Sequence, residues 1–276
     1  MSARAWRRPV WVDSHCHLDD RSFTDLDAVI ERARQAGVGM MVATAEDLPG
    51  CARTLAIAER YPEVYAAVGI HPNKAGAATP GDLAALRELA RHPKVVAIGE
   101  TGLDFYRDWA PVDAQEHTFR AQLELAAELR LPVVVHQRRA LEQASDILEP
   151  WARARRARGE APPFGVMHCF SGDAVAAQRC LDLGFLISLA GPVTFPRAER
   201  TRVVAGSVPL WGLVLETDAP VLAPQGRRGR RNEPAYLVEA ATVVAAVRGI
   251  SLDELARATT ANALGIFRLS AVAAGS

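Results

Sequence analysis

Short apolar, β-branched runs alternate with longer segments of helical periodicity from near the start of the chain to near its end. A run of about four to eight such residues between turn formers reads as a buried strand, and apolar positions recurring every three or four residues read as an amphipathic helix. Eight strands are predicted: Val10 to His15, Val38 to Thr44, Val64 to His71, Val95 to Asp104, Pro132 to Arg138, Phe164 to Phe170, Phe185 to Ala190 and Gly212 to Asp218. Helix signals lie between them, such as Thr24 ahead of Leu26, Val29, Ile30 and Ala33, and Asp113 ahead of Phe119, Leu123, Leu125, Ala126 and Leu129. Parallel strands need such crossovers. The expectation is an α/β fold, a single (β/α)8 TIM barrel, with one domain over residues 1–276 and a core of about residues 11–269.

Strands buried on both faces should be apolar throughout, and Val95 to Ile98 and Val133 to Val135 are so until a polar residue ends the run. Five predicted strands end on metal-ligating residue types: His15 with His17, Glu100, His136, His168 and Asp218. In a closed parallel barrel the C-terminal strand ends meet at one mouth, so these residues converge although they are distant in sequence. His15 and His17 are two apart, which points both rings to one face of an extended backbone while Cys16 points away. Asp13 shares that parity, as a support beneath the site or as a polar group tied to backbone amides.

Glu100 offers two oxygens and can bridge two cations, which an imidazole cannot. Glu216 and Asp218 share a face, placing Asp218 as ligand and proton acceptor with Glu216 inward in its support. Four histidines and two carboxylates suit a binuclear hydrolase site with open coordination positions, holding two divalent ions. Nitrogen and oxygen donors without thiolate fit Zn²⁺, Mn²⁺, Co²⁺ or, less well, Mg²⁺. His71 also reaches the mouth and is placed to hold a substrate oxygen, whereas His92 and His117 read as surface residues.

Composition changes this picture little. The chain has 276 residues, 49% of them hydrophobic, enough for a large core. Lys+Arg 32 balances Asp+Glu 32, so polyanion binding must come from a local cluster. Lys74 and Lys94 are the only lysines, and the preponderance of arginine reads as compositional bias. Cys16, Cys51, Cys169 and Cys180 lack zinc-ribbon spacing and are expected to be free thiols in a reducing compartment. Arg4, Arg7 and Arg8 imitate the start of a signal peptide, but Asp13 interrupts the apolar stretch that would follow. The expected location is the cytoplasm, with no membrane span and no obligate protein partner. Residues 152–163, carrying Arg153, Arg155, Arg156 and Arg158, are expected to be a solvated helix end and loop.

Taken together, Asp13-Ser-His-Cys-His-Leu-Asp19, Gly69-Ile-His-Pro72, Gly99-Glu-Thr-Gly-Leu-Asp104, Pro132 to His136 with Arg138, His168-Cys-Phe-Ser-Gly172, Glu216-Thr-Asp-Ala-Pro220 and Arg231-Asn-Glu-Pro234 resemble the TatD family of metal-dependent hydrolases. The resemblance implies that His15, His17, Glu100 and Asp218 hold one ion and that Glu100, His136 and His168 hold the other. It implies DNase activity, typically 3′ to 5′ exonucleolytic on DNA, with D-aminoacyl-tRNA deacylation as an alternative assigned to some members. It also puts His71, Arg138, Asn232 and Glu233 on the substrate side, with Arg228 and Arg231 in a basic loop.

The expected reaction is therefore hydrolysis of DNA phosphodiesters by metal-activated water, with Asp218 and Glu100 as catalytic groups. Ester or amide hydrolysis is the nearest alternative, since the same ions polarise a carbonyl. A non-catalytic metal- or nucleotide-binding protein is a third reading, which the open donor set disfavours.

Overall fold

The computed structural model describes residues 10–269, so the arginines at positions 4, 7 and 8 lie outside the described residues. Strands β1 (Trp11–Cys16), β2 (Val38–Thr44), β3 (Val64–Val68), β4 (Val95–Asp104), β5 (Val133–Arg138), β6 (Gly165–Met167), β7 (Phe185–Leu189) and β8 (Leu213–Leu215) form one sheet in sequence order. Every neighbouring pair is parallel. The seam between first and last strands closes just beyond β8: the Asp218 amide donates to the His15 carbonyl at 3.0 Å and the His17 amide to the Ala219 carbonyl at 2.7 Å. Asp13 fastens the same seam from inside, accepting from the Thr217 amide at 2.9 Å and from its hydroxyl at 2.5 Å. Asp13 is thus tied to neighbouring chain, and its carboxylate stays out of the mouth.

The strands are joined by α1 (Leu26–Gln35), α2 (Leu48–Arg60), α3 (Pro80–Leu89), α4 (Val112–Leu129), α5 (Leu141–Ala157), α6 (Ala174–Leu183) and α7 (Glu199–Ser207), and followed by α8 (Leu237–Arg248) and α9 (Leu252–Phe267). Capping residues start several of them: Asp47 accepts from the Gly50 amide, Thr79 and Asp82 make a reciprocal capping box, and Asp173 and Ser251 accept from the amides of Ala176 and Glu254. One apolar layer lies between strands and helices, with Phe119, Phe164 and Phe185 fully enclosed. Enclosing each such ring contributes about 1.5–3 kcal/mol.

A second layer fills the barrel itself, where Val12, Met40, Val42, Val134, Val166 and Val214 pack on Ile266 and Phe267 of α9. Helix α9 therefore plugs the N-terminal end, leaving the C-terminal end as the mouth. No single helix among the described residues is long and apolar enough to cross a membrane.

β7 ends one residue short of expectation, and three other predicted strands end three residues short at their C-terminal ends. β3 stops at Val68, and His71 instead caps a 3-10 turn over Pro72–Ala77. β6 and β8 end before His168 and Asp218, where Cys169 and Asp218 take positive φ of 43° and 55°. Left-handed backbone breaks the ladder there and re-aims the side chains, a conformation that residue type alone does not announce. The arginine-rich segment also differs from expectation. Helix α5 carries Arg155 into a buried position, where it pairs with Glu160 at 2.6 Å and donates to the Leu131 carbonyl at 3.0 Å; Arg153, Arg156 and Arg158 are exposed as expected.

Candidate metal centre

Two strands carry irregularities at the residues that matter. Between Asp13 and Cys16, β1 has one residue more than its partner β2, and between Ile98 and Thr101, β4 has one more than β5. Such bulges bend a barrel rim and redirect a side chain, here His15 and Glu100. Glycines permit the second one. A Cβ on Gly99 would lie 2.8 Å from the Val134 carbonyl oxygen, and Gly102, at φ 137°, would press one against the His136 carbonyl.

The result brings together all six residues expected as ligands. The Nε2 atoms of His15 and His17 lie 3.1 Å apart. Both face one oxygen of Glu100, at 3.5 and 3.7 Å, and one oxygen of Asp218, at 3.6 and 3.3 Å. Nitrogen and oxygen donors 3.1–3.7 Å apart suit one Zn²⁺, which takes them at about 2.0–2.2 Å, and His15, His17 and Asp218 lie close enough together to hold an ion. The other oxygen of Glu100 faces a second group, His136 Nδ1 at 2.6 Å and His168 Nε2 at 3.1 Å. One buried carboxylate stands between the two groups.

Hydrogen bonds on the far side of each ring show which nitrogen presents a lone pair. His17 Nδ1 lies 2.8 Å from the Thr44 carbonyl, which can only accept, so the ring donates there and Nε2 is the nitrogen turned to the site, open to a cation once its proton is lost. His168 does the same with Glu216, at 3.0 Å. Glu216 also accepts from the Cys169 amide at 2.7 Å, and so steadies the left-handed turn that carries His168. Asp104 stands 3.4 Å behind His136 Nε2. The Thr44 carbonyl and Glu216 are acceptors of the kind that orient imidazoles at a metal site, while Asp104 meets His136 only as a neighbouring charge.

His71 is arranged in the opposite sense. Its Nδ1 accepts from the Asn73 amide at 3.0 Å, which leaves the proton on Nε2, 3.4 Å from Glu100. Although His71, Glu100 and His136 are close enough to hold an ion, a protonated Nε2 is a donor and not a ligand. That fits His71 as a group that meets an oxygen.

The electrostatics match a site built for positive charge. Burial pushes the Glu100 carboxyl up, but His168, His71 and the His136 hydrogen bond outweigh it and hold the group well below the usual carboxylate range. Burial pulls His17 down, yet its bond to Asp218 and the charge of Glu100 carry it up to about 10. Glu100 and Glu216 likewise overcome burial to raise His168, whereas burial and the neighbouring His168 lower His15. Two imidazole nitrogens 3.1 Å apart cannot face each other as bare lone pairs unless a proton or metal cation lies between them.

The residues expected to touch substrate divide. Arg138 is exposed at the rim, and Arg228 lies 4.9 Å from the Phe195 ring in an exposed loop. Asn232 and Glu233 do not face the mouth. Buried Asn232 donates to the carbonyls of Thr217 at 2.8 Å and Val221 at 2.7 Å, and buried Glu233 pairs with Arg32 at 2.6 Å. Arg231 is also engaged internally, with Asp25 at 2.6 Å and the ring of Phe23. Glu233 and Arg231 clamp the loop after β8 to α1 and to Asp25 at its start, while Asn232 ties the loop back to the chain just after β8, so all three side chains are engaged within the fold where substrate contact was expected; in sequence a clamp and a contact look alike. Sequence reasoning gave Asp104 no role, though it shares strand parity with Glu100 and could have been found that way.

A family model described as TatD related DNase matches residues 12–268. The chain is 40% identical over 259 residues to the Bacillus subtilis protein named uncharacterized metal-dependent hydrolase YabD, covering 94% of this chain and 99% of that one. It is 40% identical over 248 residues to the Klebsiella pneumoniae protein named 3'-5' ssDNA/RNA exonuclease TatD, covering 88% and 92%. The crystal structure of YjjV, a TatD homologue from Escherichia coli, superposes with a TM-score of 0.87 at 36% identity, over 94% of this chain and 98% of that one.

Proposed function

The chain belongs to the TatD related DNase family of metal-dependent hydrolases, and from that premise we propose that it cleaves DNA phosphodiesters, as a 3′ to 5′ exonuclease, at a centre of two divalent ions. The observation that carries this reading is the placement of Glu100, with one oxygen toward His15 and His17 and the other toward His136 and His168. We assign His15, His17, Glu100 and Asp218 to one ion and Glu100, His136 and His168 to the other. When bound, such cations act as Lewis acids and lower the pKa of water from ~15.7 towards ~7.

The protein's own groups then have distinct tasks. Asp218, at the mouth on a left-handed residue, takes the proton of the attacking water. His71 donates its Nε2 proton to a non-bridging phosphate oxygen. Glu216 and Thr44 keep two of the imidazoles from turning, so that part of the donor set is preformed before substrate arrives. Exposed arginines at the rim, Arg138 and Arg228, pair with phosphates further along the strand. Four free cysteines, three of them buried, fit a reducing cytoplasm.

The decisive assay uses purified, metal-loaded protein on end-labelled single-stranded DNA, duplex DNA and D-aminoacyl-tRNA in parallel. Stepwise shortening from the 3′ end supports the proposal. Release of the amino acid with intact DNA would replace it with ester hydrolysis.

A further inference from the structure

A hollow of about 650 Å³ opens at the N-terminal end of the barrel, opposite the metal mouth, where β5 and β6 begin and α4, α5 and α9 end. Each of these three helices is capped at its C-terminus by an arginine, Arg130, Arg158 and Arg268, and all three line the hollow. None of them makes an ion pair or a side-chain hydrogen bond among the described residues. The two glutamates of the same wall are already taken, Glu128 by Arg87 at 3.1 Å and Glu160 by the buried Arg155 at 2.6 Å. Three guanidinium charges are thus gathered around one space without a counter-charge.

Two of the three are held at a cost. Arg130 and Arg268 take φ of 55° and 51°. At a helix end this left-handed backbone normally falls to glycine or asparagine, because a Cβ crowds the neighbouring carbonyl. An arginine after a helix complements the negative end of its dipole, which accounts for a positive charge there. It does not account for the left-handed backbone, nor for three such residues meeting in one hollow. Strain kept in place is a pointer to a ligand.

The ground beneath is fixed. Arg155 donates to Glu160 at 2.8 Å and to the Leu131 carbonyl at 3.0 Å, joining α5 to the approach to β5. On its other side the hollow shares Pro162, Pro163 and Gly265 with a cleft of about 460 Å³, whose wall of Leu181, Phe185 and Trp211 is apolar. The acid of that cleft, Asp182, is bonded to Gln178 at 2.8 Å.

We propose that the hollow is a binding site for a diphosphate, free or carried on a small apolar body, held by Arg130, Arg158 and Arg268. A guanidinium fork pairs two phosphate oxygens at once. One phosphate group carries about −1.5 to −2 charges at pH 7, short of three guanidiniums, so two such groups match the set. The helix ends offer only carbonyl oxygens, which repel an anion, and recognition therefore lies in the side chains alone. A bound diphosphate bridges α4, α5 and α9. Since Ile266 and Phe267 of α9 plug the barrel, occupancy is read as stability of the whole fold. The site stands apart from Glu100 and its histidines, and its existence does not depend on the phosphodiester reading.

Inorganic pyrophosphate is titrated calorimetrically into metal-loaded protein. Melting temperatures are recorded with and without it at fixed ionic strength, with sulfate as the control for general salt effects. The triple variant Arg130→Ala, Arg158→Ala, Arg268→Ala should bind about tenfold or more weakly and lose the ligand-induced rise in melting temperature, while its metal content equals that of the wild type. No binding to the wild type would overturn the site. So would equal binding to wild type and variant, which would put the pyrophosphate at the metal centre. Arg130→Gly and Arg268→Gly should weaken binding yet raise the melting temperature of the ligand-free protein, because glycine takes the left-handed turn freely. A lowered melting temperature in both would assign the arginines to the helix ends and count against the site. Hexyl diphosphate distinguishes the two sources: tighter binding than pyrophosphate, reversed by Trp211→Ala, supports an organic diphosphate lying in the cleft, and equal binding supports the free ion.

Discussion

Glu216 accepts the Nδ1 proton of His168 across 3.0 Å, and with the same oxygen accepts the amide of Cys169. One carboxylate thus fixes both the tautomer of the ring and the backbone turn that delivers it. Glu216→Gln should therefore lower affinity for the cation beside His168 by about 10- to 100-fold while the protein stays folded. Calorimetric titration with Zn²⁺ or Mn²⁺ reads this directly, and an unaltered isotherm would remove Glu216 from the orienting role.

Glu100→Ala should reduce the number of ions retained after dialysis as well as the rate, since each group of imidazoles loses a carboxylate oxygen. Elemental analysis of the purified variant checks it. Two tightly held ions in that protein would dismiss a bridging carboxylate.

Asp218→Asn keeps the shape and loses most of the basicity, so turnover at neutral pH should fall by ~10² or more. The comparison is made on protein with verified metal content. Equal rates would take Asp218 out of proton transfer.

Cation binding should expel protons. In the metal-free protein His17 is carried up to about 10 from its ordinary 6.5, and His168 is raised as well. A group with a raised folded pKa gives stability that is complete below its unfolded value and is lost as pH rises through the folded one. The metal-free melting temperature should accordingly decline between about pH 6.5 and pH 10, and apparent cation affinity should rise over the same window. Titrations at pH 7 in buffers of different ionisation enthalpy count the released protons; a count of zero contradicts the assignment.

Asn232→Ala should destabilise the fold by about 1–3 kcal/mol, because the buried carbonyl of Thr217 and the part-buried carbonyl of Val221 lose their donor. Thermal unfolding measures the loss. The KM for a small phosphodiester should be unchanged, in contrast to what a substrate contact would give.

Barrel and donor set were legible because buried parallel strands have no ordinary use for polar residues. Each of His15, Glu100, His136, His168 and Asp218 interrupts an apolar run at its C-terminal end, and the mouth of a barrel is where such interruptions collect. Arg231, Asn232 and Glu233 were not legible, because clamping a loop and touching a ligand demand the same side chains. What distinguishes them is the partner: Asp25 and Arg32 are far off in sequence, and Thr217 is brought back to Asn232 only by the path of the loop between them. Arg155 misled in the same way: only the returning Glu160 makes burial of that guanidinium tolerable. The orientation of His71 was equally hidden, since a tautomer depends on a backbone amide two residues on.

The seam that joins β1 to β8 couples the two ends of the barrel across 204 positions of sequence, from Asp13 to Thr217. His15 and His17 stand on one side of it and Asp218 on the other. A growing chain on the ribosome accordingly cannot bring His15, His17 and Asp218 together until its eighth strand has emerged, and a cut that frees that strand parts these residues and opens the barrel at once. Hydrolytic competence is in this way reserved for the finished molecule.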